Sequence, residues 1–165
     1  AAVKSRVLSS VDLQDRSNRD RFYMAWSGWR LFQDRPWTGV GSNNIEKAIR
    51  ADEGRYRHPQ AEKINMHLHN NFLQILAERG LPALAAFLLA CAAILAALLR
   101  RLRRSRGEAR ALAAGVLFAF VGFLVAGLFE YNFGDSEIKF LLFYFLSLPF
   151  LTLKEEEHVP AEARR

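Results

Sequence analysis

The chain has 165 residues, 51% of them apolar, and a formal charge of +6. Its mean hydropathy of -0.02 would suit a soluble domain, but charged and apolar residues are segregated along the chain, which argues against a single soluble fold. The one cysteine, Cys91, excludes an intrachain disulfide. Basic residues scattered without a recognition motif exclude a nucleic-acid binder.

Residues 1–70 carry 12 Lys+Arg and 8 Asp+Glu. They read as an outer, polar region. The chain opens at Ala1 in polar sequence with no apolar signal region, as the C-terminal piece of a longer protein would. Residues 1–16 have no period and read as a flexible lead-in. Ser17-Asn18-Arg19-Asp20 predicts a helix start, with an oxygen-bearing cap and an acid in the first turn. Phe22, Trp26, Trp29 and Phe32 or Gln33 then recur at helical spacing, and Pro36 ends the helix. That aromatic face suits a membrane surface, a lid over a helix bundle, or simple core packing.

Pro36-Trp37-Thr38-Gly39-Val40-Gly41-Ser42-Asn43-Asn44 is a turn-rich linker. A short helix over Ile45–Glu53, capped by Asn43 or Asn44, and a mobile polar loop over Gly54–Met66 are expected next. His67 and His69 lack the third ligand that zinc needs, so no metal is expected. Asn70, Gln74 and Glu78 form a polar stripe at four-residue spacing. The pattern predicts an interfacial helix over 68–79, bent at Gly80-Leu81-Pro82 into an apolar span. At about 100° per residue His69 and Gly80 would share a helix face, about 16 Å apart.

Three apolar blocks follow. Leu81–Leu99 and Ala111–Phe129 are each 19 residues without a charge, and Phe140–Leu153 is 14, extendable back through Ile138. A bilayer core needs about 20 helical residues. The pattern therefore predicts an all-α, polytopic membrane protein fragment. Its spans lie at about 81–99, 111–129 and 138–153 within a membrane region 71–153, with an outer helical loop region 1–70 and a tail 154–165. The segment Arg100–Arg110 holds six arginines and Glu130–Glu137 holds none. The positive-inside rule puts the arginine loop and the tail in the cytoplasm, and His69 with residues 1–70 outside. The basic residues also suit membrane lipid head groups.

His69-Asn70, nine residues, then Gly80 resembles the signature of the O-antigen ligase superfamily, which also holds O-antigen polymerases and bacterial O-linked oligosaccharyltransferases. Arg21, the aromatic helix and Pro36-x-x-Gly39-Val40-Gly41 resemble the outer loop before that signature. Gly127-Leu128-Phe129-Glu130-x-Asn132-Phe133-x-Asp135-x-Glu137 resembles the loop before the last helices. The similarity covers roughly residues 19–153; Ala83 departs from the usual continuation, and the family's N-terminal membrane helices are missing.

The resemblance implies a bacterial inner-membrane glycosyltransferase, multi-pass, with its active face in the periplasm and no cofactor. Its donor would be a glycan on undecaprenyl pyrophosphate. Its acceptor would be lipid A-core, a growing glycan or a protein hydroxyl. His69 would be the catalytic base or acceptor-orienting group, since an imidazole ordinarily titrates near about 6.5. Arg21 would clamp diphosphate through its bidentate fork. Asn70 would orient the histidine or a sugar, and Gly80, Glu130 and Asp135 are further substrate-binding candidates. A piece lacking the other helices is expected to be inactive alone. The competing class is a transporter or membrane scaffold. A transporter more often carries ionisable groups at mid-span, whereas these blocks are clean.

Overall fold

The structure is a computed structural model that describes residues 16–151, and these are helical with no strand. The helices are α1 (Arg16–Asp34), α2 (Ile45–Ala51), α3 (Glu53–Tyr56), α4 (Asn71–Arg104), α5 (Gly107–Ala126) and α6 (Ser136–Leu151), with a 3₁₀ turn at Asn132–Gly134 before α6. The expected lead-in before residue 16 and the tail 154–165 lie outside the described residues. The chain forms two units: residues up to Ala86 with Gly127–Tyr131, and Phe87–Ala126 with the chain from Asn132 onward.

The first unit is built on α1, α2, α3 and the first turns of α4. Met24 and Leu31 of α1, Ile45 and Ile49 of α2, Leu68 and Ala77 are buried together. Positions 24 and 31 are two helical turns apart, and 45 and 49 one turn, so each pair shares a face. Asp34 ties α1 to α3 by accepting from Arg55 Nη2 at 2.5 Å and the Tyr56 hydroxyl at 2.7 Å. Those two hydrogen bonds, Tyr56 first, hold the Asp34 carboxyl below its ordinary range. Several local expectations are revised. α1 is already helical at Arg16, ahead of the proposed Ser17 cap, and α2 stops at Ala51. Asp52 breaks it there and caps α3, accepting from the Arg55 N–H at 3.2 Å. Part of the expected loop from Gly54 is therefore helical. Phe22 and Trp29 are exposed, while the core side of α1 is Met24, Ser27 and Leu31, so core packing does not account for the aromatic face.

In the second unit the C-terminal part of α4 packs with α5 and α6. Cys91, Leu98, Val116 and Phe120 are buried together, flanked by Leu142 and Leu146. α4 and α5 are long and apolar enough to cross a membrane. Only 11% and 17% of their most apolar windows are buried. They are therefore not core helices of a soluble fold, and Leu88, Leu89, Phe118 and Val125 present their apolar surface outward. The third expected span is corrected. α6 is apolar but has 16 described residues, with Lys139 in its first turns and Pro149 near its end. At about 1.5 Å per residue its described part covers about 24 Å, against about 30 Å for a bilayer core. Two candidate spans, not three, stand among the described residues. At the arginine-rich turn, Arg101 is buried and its Nε donates to the Pro149 carbonyl at 2.6 Å.

Candidate functional site

The site assembles in the first unit, where the chain enters α4 and where it leaves α5. Asn70 starts α4. Its side-chain oxygen accepts from the Leu73 N–H at 2.8 Å, the hydrogen bond of a helix cap. Its side-chain nitrogen donates to the Leu128 carbonyl at 2.9 Å, and the Asn71 N–H donates to the Gly127 carbonyl at 2.7 Å. Asn70 and Asn71 thus bind the segment after α5 to the first turn of α4. Glu130 follows two residues after Leu128.

His69 precedes the cap and has φ 52°. It is not in the helix, so the expected face shared with Gly80 is corrected: the Asn70 cap wins residues 68–70 away from the helical pattern. In that left-handed conformation the imidazole turns to Glu130. Nδ1 lies 2.8 Å from Glu130 Oε1, and Arg21 Nη2 of α1 lies 3.5 Å from Oε2. One carboxylate therefore joins the two residues expected to act on substrate. Burial would push the Glu130 carboxyl up. The His69 hydrogen bond, the Tyr131 N–H and the charges of His69 and Arg21 outweigh it and hold the group below its ordinary range. An ionised carboxylate only accepts. His69 Nδ1–H is then the donor, and in the neutral imidazole Nε2 is the basic nitrogen.

A depressed carboxyl contributes stability above its unfolded pKa and loses it as pH falls through the lower folded value. Acidification below the ordinary carboxylate range is expected to loosen the His69–Glu130 contact. Acid unfolding of wild type should then show a small loss of stability that is absent from Glu130→Gln. The loss is small because both partners are partly exposed.

Gly80 does not touch this cluster. It shapes the other end of the same short helical segment. With φ 78° and ψ −178° it breaks α4 nine residues after Asn71, where the sequence predicts the bend. Beyond it Pro82 has no N–H to reach the Glu78 carbonyl. The freed groups are taken up by residues 36–41. Leu81 N–H donates to Pro36 O at 2.8 Å, Val40 N–H to Ala77 O at 3.0 Å, and Gly41 N–H to Glu78 O at 2.8 Å. The linker is a strap across the break. Asp135 belongs to the second unit, where its N–H bonds Asn132 O.

The expected polar stripe is also relocated. Gln74 and Glu78 are each 1% exposed and face the inside of the first unit. Two other histidines have structural neighbours: His67 lies against the Tyr131 ring and His58 stacks on Tyr23. Among the described residues no group of three His, Cys, Asp or Glu could hold a metal ion.

The sequence model of a protein family described as O-antigen ligase matches residues 1–88. That segment is more than half of the chain and contains Arg21, the strap, His69-Asn70 and Gly80. The chain belongs to the O-antigen ligase family. Nothing matches among the curated proteins or the solved structures. Members of the O-antigen ligase family are glycosyltransferase-like enzymes of bacterial membranes, and the two long apolar helices accord with that. Glu130 lies outside the family match. Folding brings it to His69 across 61 positions of sequence.

Proposed function

We propose that this chain carries the catalytic end of a membrane glycosyltransferase of the ligase type. It would move a glycan from undecaprenyl pyrophosphate to a hydroxyl of lipid A-core, at the periplasmic face of the inner membrane. The observation that supports this reading is the Glu130 carboxylate shared by His69 and Arg21. His69 Nε2 takes the proton of the acceptor hydroxyl as its oxygen bonds the anomeric carbon. The bond from that carbon to the pyrophosphate oxygen breaks, and undecaprenyl pyrophosphate leaves with the electron pair. Glu130 holds the imidazole in one tautomer and stabilises the imidazolium that forms, as the acid of a catalytic triad does. Arg21 has several further N–H donors beyond its contact with Glu130, and these meet the departing diphosphate. Asn70 holds the histidine's neighbour in place rather than a sugar. Asp135 has no part in this step.

The test is transfer by the full-length protein in proteoliposomes, supplied with lipid-linked glycan and lipid A-core. Ligation to lipid A-core with release of undecaprenyl pyrophosphate is expected. Elongation of the lipid-linked glycan, with no ligation, would make it a polymerase; transfer to a protein Ser or Thr would make it a protein glycosylase.

The contact of His69 with Glu130 also bears on topology. Residues in contact lie on one side of a membrane, so the chain must cross an even number of times between them. α4 and α5 supply two crossings, with the six-arginine turn inside. Ser105 is buried, so the inner reporter is placed at exposed Arg106. Arg106→Cys is expected to resist an impermeant thiol reagent added from the periplasm, and Ser136→Cys to react. Reaction of Arg106→Cys would reverse the orientation and place His69 away from the periplasm.

A further inference from the structure

Among the described residues only two that are not glycine have positive φ, Asn43 at 56° and His69 at 52°. They lie at opposite ends of one chain of three hydrogen bonds. Asn43 N–H donates to Glu78 Oε1 at 2.9 Å. Gln74 Nε2 donates to the same oxygen at 2.8 Å. Leu68 N–H, one residue before His69, donates to Gln74 Oε1 at 2.8 Å. Gln74 and Glu78 are each 1% exposed, and Leu68 is equally buried.

Left-handed backbone in a residue with a side chain persists only where its surroundings over-determine it. His69 is fixed on both sides. Asn70 is held by its cap and by Leu128 O. Leu68 is held by its buried side chain and by Gln74. The amide can stand only one way round, because flipping it would set its NH₂ against Leu68 N–H and its oxygen against the carboxylate. A carboxylate is also costly to bury, and apolar residues at 74 and 78 would suit a packed core better. What the pair adds is geometry.

We infer that Gln74 and Glu78 are positioning residues for His69: through Leu68 N–H they hold its backbone in the left-handed turn that aims the imidazole at Glu130, and through Asn43 N–H they anchor that turn to the strap. This rests on His69 being the base. The pair does not touch substrate, so its loss should act on the rate constant rather than on substrate binding.

The test uses the full-length protein in membranes, with three readouts: the amount inserted, kcat and KM for transfer, and hydrogen exchange of the Leu68 amide. Gln74→Met keeps the bulk and removes both hydrogen bonds. A misplacement near 1 Å costs about 10²-fold in rate, so kcat should fall by about that factor with KM unchanged and Leu68 protection lost. Gln74→Glu alone sets two buried carboxylates together and should be at least as harmful. Normal kcat in Gln74→Met would overturn the inference. So would a Gln74→Met variant that inserts normally and keeps the Leu68 amide protected yet loses kcat, because the turn would then not be what failed. Retained transfer by His69→Ala would instead remove the base, and the positioning role with it, whatever Leu68 shows.

Discussion

Replacing His69 with alanine in the full-length protein is expected to lower glycan transfer by roughly 10²–10⁴, the usual cost of removing a general base, while insertion into the membrane stays normal. The side chain is 27% exposed and sits at the rim of the first unit, so its removal leaves no large core cavity. Its loss takes from Glu130 one of its two side-chain partners, a modest effect at a half-exposed site. Arg21→Lys should also be harmful, because an ammonium keeps the charge but not the planar fork. Glu130→Gln should lower kcat as well, since an amide can donate to Nδ1 and so favour the wrong tautomer. His67→Ala is the control. That ring is exposed and lies against Tyr131, two residues from His69 but outside the Glu130 cluster, and its loss should matter much less. Undiminished transfer by a well-inserted His69→Ala variant would remove the mechanism.

Much of this architecture is legible in order along the chain, because apolar runs and prolines act locally. The bend at Gly80 can be read from Gly80-Leu81-Pro82, and among the described residues two of the three apolar blocks form helices long enough to span. The third cannot be sized from its lack of charge alone. His69 lies outside the helix that periodicity extends back to residue 68. The signal for this is present, since an Asn directly before an apolar run is a helix cap, and a cap puts the preceding residue outside the helix. The partners of these residues are not legible. Glu130 stands in the sequence as one acid in a solvated loop, and nothing local tells that it meets His69. Gln74 and Glu78 look like an exposed stripe because polar residues at four-residue spacing usually are one. Both are buried with partners that periodicity does not show, Glu78 accepting from Asn43 N–H and Gln74 from Leu68 N–H. Pro36-x-x-Gly39-Val40-Gly41 and Gly80 both lie in the segment that the family model matches, and in the structure the two segments complete each other's hydrogen bonds.

That reciprocity makes the two facing glycines the most sensitive backbone positions in the first unit. At Gly80 the φ and ψ lie in a region essentially reserved for glycine, and a Cβ there would run into the Trp37 and Pro36 carbonyls. At Gly39, φ is 63° and a Cβ would run into the Glu78 peptide group. Both obstacles are backbone, held by the strap hydrogen bonds, so no side chain can swing aside. Gly80→Ala should therefore combine backbone strain of about 1–3 kcal/mol with overpacking of about 1–3 kcal/mol. Together these are a large share of the about 5–15 kcal/mol that holds an ordinary fold. The expected result is a sharp fall in folded protein extracted from membranes, and a lowered Tm in whatever remains. Gly39→Ala should behave alike, and the pair together should cost less than the sum, because the first already opens the contact. Gly115→Ala and Gly122→Ala provide the contrast. Both positions lie within α5 with nothing near the added carbon, so alanine there should be neutral or stabilising by up to about 1 kcal/mol. If Gly80→Ala is as stable as Gly115→Ala, the strap does not close the helix break, and the physical reason for a glycine at position 80 fails with it.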